Sequence, residues 1–171
     1  MGARQPRTIR VLSGDSMSKD DKFPKTNDIA DVLAQVIETF GGLEARLVPA
    51  APVASQGPNW CARVDISGGF EGVVATSCSP ALARRIALSC FGTDVATVSD
   101  ETAREALGEF THVIGGNIKS LISQLVEAPC QLQPPIVTSG AAAIAGAVVR
   151  DEFSFLCGNE LLDIGLLEKR A

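Results

Sequence analysis

The stretch from Glu101 to Leu125, ETAREALGEFTHVIGGNIKSLISQL, constrains the fold more than any other. At the 3.6-residue period it places Ala103, Leu107, Phe110, Val113, Ile114, Ile118, Leu121 and Leu125 on one broad apolar side, which must be buried. The opposite side lines up Glu105, Glu109, His112 and Gly116 at i, i+4, i+7 and i+11, a narrow outward stripe of mutual neighbours. Two consecutive glycines, Gly115 and Gly116, each cost roughly 1 kcal/mol against Ala in a helix interior. Their presence implies close approach by another group, and Glu105, Gly115 and Gly116 are the candidate partner-binding residues. Asn117 falls toward the apolar side by the same count, as a buried amide bonding backbone.

The rest of the chain supplies elements to hold this helix. From an N-cap at Asn27, Ile29, Val32, Leu33, Val36, Ile37 and Phe40 repeat at helical spacing until Gly41-Gly42. Leu43 to Val48 reads as a short strand, and residues 50–59 as a loop. Trp60 to Ile66 and Phe70 to Thr76 form a hairpin about Ser67-Gly68-Gly69. Ser79 caps a helix that has Pro80 at its first position and ends at Gly92, and Ser99 or Asp100 caps the long helix. Gln131 to Val137, Ala147 to Val149 and Phe153 to Cys157 are the remaining strands. The run TSGAAAIAGA is either a hairpin loop or a closely packed strand, and Leu161 to Leu167 either an edge strand or a last helical turn. The fold class is therefore α/β, with an antiparallel or mixed sheet flanked by helices.

At 171 residues one domain suffices, with a real core and no need of disulfides or metal. Residues 1–25 hold six Lys/Arg against three Asp/Glu, leaving nine against seventeen, net −8, for the remainder. Residues 1–26 are thus expected to be a flexible basic arm, with Met17 an alternative native start to Met1, and residues 27–171 the folded domain. The acidic body and the lack of an aromatic ladder argue against nucleic acid, and no apolar run is long enough for a bilayer. Without a leader pattern the expected compartment is the cytoplasm. The five cysteines stand singly in apolar segments and His112 is the only imidazole, so no metal site is expected. No nucleotide-binding glycine loop or nucleophile elbow occurs.

The run from Gly108 to Lys119, GEFTHVIGGNIK, resembles the signature helix of the CheX-like chemotaxis phosphatases, in which a Glu and, three residues later, an Asn project from one helix ahead of a Gly-Asn pair. Gly69 to Gly92, GFEGVVATSCSPALARRIALSCFG, is similar to that family's strand, turn and helix. Pro134 to Gly140, PPIVTSG, is similar to the strand that follows the signature helix, so the resemblance covers roughly Asn27 to Lys169. It departs at one position, where His112 stands in place of the catalytic Asn. The resemblance implies a CheX-like fold built on one long central helix, and pairing of two copies through sheet edges into a homodimer. It also implies a partner, a phosphorylated CheY-like receiver domain that carries the phospho-aspartate and its own Mg²⁺, so that no cofactor belongs to this chain.

Carried over, Glu109 would engage a Lys of the receiver and His112 would orient the attacking water. Catalysis of this kind is positioning plus electrostatics, which two side chains one turn apart can supply. A neutral imidazole offers one donor and one acceptor, and its acceptor nitrogen can hold a water or draw a proton from it. A reach that differs from the amide's by roughly 1 Å can, however, cost about a hundredfold in rate. Three functions stand open: a phosphatase acting through Glu109 and His112, a non-catalytic receiver-binding adaptor disarmed by the Asn-to-His change, and phosphotransfer through His112. The third sits poorly with a chain that carries strands, because phosphotransfer modules are helical bundles. Without the resemblance, His112, Glu105 and Glu109 would be ordinary solvated residues of a helix surface.

Overall fold

A computed structural model describes residues 23–50, 59–140 and 144–170. Residues 1–22 of the expected basic arm, most of the 50–59 loop and the middle of TSGAAAIAGA lie outside these residues. The arm's last four positions, 23–26, are described: Phe23 packs against the core and Thr26 opens the first helix. In chain order the elements are α1 (Thr26–Thr39), β1 (Arg46–Val48), β2 (Trp60–Gly68), β3 (Gly72–Cys78), α2 (Pro80–Phe91), α3 (Asp100–Ser123), β4 (Cys130–Leu132), β5 (Ile136–Ser139), β6 (Ala147–Cys157) and β7 (Glu160–Lys169). The strands form a seven-stranded sheet in the order β1-β6-β7-β3-β2-β4, with β5 also pairing β2, and every pairing is antiparallel.

Several elements follow from local chemistry. The Ser79 hydroxyl accepts from the Leu82 amide at 3.1 Å, Pro80 occupies the first turn, and Gly92 closes α2 in the left-handed region at φ 64°. Ser99 caps α3 by accepting from the Thr102 amide at 3.1 Å, beside the acidic first turn of Asp100 and Glu101. Helix α1 begins one residue before Asn27 and has no side-chain cap. Its Thr26 hydroxyl instead donates to Asp151 on β6 at 2.9 Å.

Four expectations change. The strand drawn through 131–137 is two strands, because Pro134 and Pro135 have no amide to give the ladder. The strands at 147–149 and 153–157 are one, β6, whose register shifts between Val149 and Asp151 at a bulge. The segment at 161–167 belongs to β7, which lies centrally between β6 and β3 and not at an edge. The strand at 43–48 shortens to Arg46–Val48.

One hydrophobic cluster takes every second strand residue, Ala62, Val64 and Ile66 of β2, Val74 of β3, Phe153 and Phe155 of β6, and Leu162, Ile164 and Leu166 of β7. It joins them to the inner sides of all three helices. Since alternate strand residues point to opposite faces, helices and core share one side of the sheet. The other side carries Arg63, Asp65, Ser77, Glu152 and Asp163.

Candidate functional site

Three residues on the sheet side of α3 fix its rotation. Gly108, Thr111 and Gly115 recur at i, i+3 and i+7, and all are buried. A Cβ on Gly115 would lie 2.4 Å from Val64 Cγ2 and 3.2 Å from Leu132 Cδ1, and one on Gly108 would lie 3.2 Å from Val137 Cγ2. The helix therefore rests close upon β2 and β5. Between the glycines the Thr111 hydroxyl donates to Leu107 O at 2.7 Å and meets the Thr76 hydroxyl of β3 at 2.6 Å. Both threonines are fully buried, so this contact ties helix to sheet where neither hydroxyl can turn to water.

With the inner side fixed, the outer side is fixed too. Glu105 and Glu109 are exposed, while His112 and Gly116 are half-buried. Open space lies above Gly116, where an added Cβ would meet nothing within 4 Å. Neighbours at this spacing have Cβ atoms roughly 5–6 Å apart, so Glu109 and His112 can act on one bound group. On α2, Cys90 lies near enough to feel Glu109: burial first, and then the Glu109 charge, push its thiol up to about 11.

The two glycines have different roles. Gly116 is on the open stripe, whereas Gly115 faces the sheet and cannot touch a partner. Its lack of a side chain serves the packing against Val64. Asn117 is exposed and not buried, although its Nδ2 does bond backbone, donating to Val113 O at 2.8 Å. By helical count it lies about 20° round from the buried Ala106. That sector is buried at Ala106 and open at Asn117, so the period alone does not set its cover. Gly108, Thr111 and Arg104 were not singled out as contributors. The period alone could have placed Gly108 and Thr111 on the inner side, but nothing local marks Arg104. Its guanidinium stacks over Trp60 at 4.7 Å and donates to Ser139 Oγ at 2.9 Å. Among the described residues no group of three His, Cys, Asp or Glu side chains could hold a metal ion, and no helix is long and apolar enough to cross a membrane.

An antiparallel α/β open sheet whose described helices all pack on one side, among them a long helix with an acidic outer stripe, defines the class. Residues 60–156 match the family model described as chemotaxis phosphatase CheX, and the chain belongs to that family. The fold is likewise similar to the chemotaxis protein CheX from Vibrio vulnificus (19% identity over 82% of this chain and 95% of that one, TM-score 0.61). A structure from Borrelia burgdorferi, described as a CheX-CheY-BeF3-Mg²⁺ complex, matches with 14% identity over 86% and 99% and a TM-score of 0.66. A chemotactic CheC-like protein from Shewanella oneidensis matches with 19% identity over 87% and 99% and a TM-score of 0.62. Sequence comparison with individually characterised proteins finds no match.

Proposed function

We propose that the chain docks the outer stripe of α3 on a phosphorylated, CheY-like receiver domain and hydrolyses its phospho-aspartate. The observation that carries this reading is the placement of an exposed Glu109 and a half-buried His112 one turn apart on the outer side of a helix whose inner side is locked, with open space at Gly116 between them and the C-terminal turns. Membership of the CheX family and the Borrelia burgdorferi CheX-CheY complex among the similar structures support the partner class. In the reaction a water oxygen attacks phosphorus, the P–O bond to the aspartyl carboxylate breaks, and inorganic phosphate and free Asp result. Glu109 pairs with a receiver Lys, and the acceptor nitrogen of His112 orients the water and takes up its developing proton charge. Mg²⁺ sits on the receiver. Inorganic phosphate release from acetyl-phosphate-labelled receiver should rise with this protein, and a Glu109→Ala or His112→Ala variant that releases phosphate as fast as wild type would refute the assignment.

A second reading is motivated by the imidazole at the Asn position: the same stripe binds the receiver without turnover, as an adaptor. Retained affinity with no acceleration would select it. The domain we assign to this role is 27–171 extended at its start by Phe23 and Thr26, which pack on the core and open α1, with a basic arm ahead of them. We further propose homodimerisation through the β6 edge. Strand β1 pairs only with residues 154–156, so the earlier half of β6 lacks a neighbour on that side among the described residues. Val149 and Leu47 near that edge are 48% and 52% exposed. A monomer by light scattering at micromolar concentration would rule the dimer out.

A further inference from the structure

Beside the outer stripe, between the first half of α3 and β5, runs a groove of about 490 Å³. Its floor is apolar, made by Gly108, Pro135 and Val137. The missing side chain of Gly108 gives the floor its depth, because a Cβ there would come within 3.2 Å of Val137 and 3.6 Å of Pro135. Along the helix rim stand Glu101, Glu105 and Glu109, spaced four residues apart and so spread over about 12 Å. None of the three makes a hydrogen bond or an ion pair with another described residue.

The cation best placed to neutralise them is held elsewhere. Arg104 also lines the groove, yet its guanidinium is committed to the Trp60 ring and to Ser139 Oγ, and its Nε is buried with no acceptor. Asp100, at the groove's end, is paired with Arg84 of α2. The rim therefore keeps three uncompensated carboxylates above an apolar floor, a surface whose complement is an apolar side chain flanked by Lys or Arg.

We propose that this groove is a second docking site, which seats an apolar side chain from a basic loop of the same receiver partner while the stripe engages the phosphorylated centre. The inference rests on the proposed function and adds Glu101, Arg104, Gly108, Pro135 and Val137 to the interface. Glu105 and Glu109 belong to both sites and make them continuous. Fixing the receiver at two points one to two helical turns apart sets the rotation with which Glu109 and His112 meet the phosphoryl group. A single contact would leave that rotation free.

The test follows Val137 methyl and His112 ring resonances of the full chain during titration with beryllofluoride-loaded receiver. Both should shift at the same receiver concentration, and Glu101→Lys should weaken binding about tenfold at low salt, the loss shrinking as salt rises. Val137→Ser, at the partly exposed floor, should weaken binding with little change in salt dependence. Shifts at His112 with Val137 unmoved, and unchanged affinity in both variants, would overturn the second site and leave the functional reading intact. Movement of neither resonance would overturn both.

Discussion

Adjacent glycines that look alike in sequence should respond oppositely to the same substitution. Gly116→Ala places its methyl in open space, so only the helix preference counts, a gain of about 1 kcal/mol. Gly115→Ala earns the same preference but places its methyl 2.4 Å from Val64 Cγ2, about 1 Å inside the 3.4 Å at which ordinary contact begins. Val64 is fully buried in β2 and β-branched, so it cannot swing aside without leaving its rotamer. Overpacking of this kind costs about 1–3 kcal/mol, and the stiffness of Val64 argues for the upper end, a net loss of about 2 kcal/mol. At about 2–4 °C per kcal/mol for a chain of this size, Gly115→Ala should melt about 4–8 °C below wild type and Gly116→Ala about 2–4 °C above. Urea unfolding should rank them alike, and in the double mutant Val64→Ala/Gly115→Ala the two losses should sum to less than their separate values by at least about 1 kcal/mol. Gly115→Ala melting at or above wild type would refute the close helix-sheet approach on which the orientation of the stripe depends.

Other expectations are briefer. Thr111→Val strands the buried Thr76 hydroxyl and should cost about 1–3 kcal/mol, whereas Thr76→Val leaves Thr111 donating to Leu107 O and should cost less; equal losses in urea would contradict the assigned donor direction. Burial pushes the Asp151 carboxyl above its ordinary 3.8, opposed by the Thr26 hydroxyl and by Arg150. The folded state then holds its proton to higher pH than the unfolded chain, so this residue's contribution is fully present below 3.8 and is lost as pH rises through the raised folded value. Asp151→Asn should therefore equal or exceed wild type in melting temperature at pH 7 and lose that advantage below pH 3.8. With its thiol pushed up to about 11, Cys90 should label slowly at neutral pH, faster in Glu109→Gln, and more slowly still when a receiver covers the stripe.

Signals carried within a few residues were legible in the sequence. Ser79-Pro80 and Gly92 bound α2, Ser99 caps α3, and the hairpin of β2 and β3 turns at its glycines, because caps, prolines and left-handed glycines act through neighbouring backbone. The family likeness carried by Gly108 to Lys119 also held, and with it the antiparallel α/β fold. What was not legible depends on contacts far along the chain. Residues 161–167 alternate like any half-buried strand, and only the pairings with β6 and β3 make β7 central. The burial of Gly115 against Val64, and the open space over Gly116, arise from where α3 lands on the sheet. Asn117 sits in an apolar sector by period yet is exposed, because what covers each turn of α3 is set by the tertiary packing. The Arg104-Trp60 and Thr76-Thr111 contacts join residues dozens of positions apart, so no local pattern announces them.

The most direct test is the decay of acetyl-phosphate-labelled receiver in the presence of wild type, Glu109→Ala, His112→Ala and His112→Asn, with receiver affinity measured for each. The account predicts faster decay with wild type, loss of the acceleration in both alanine variants, and affinity reduced chiefly in Glu109→Ala. Wild type that binds the receiver yet leaves its decay unchanged, with acceleration appearing only in His112→Asn, would contradict a catalytic His112 and leave an adaptor built on the same helix.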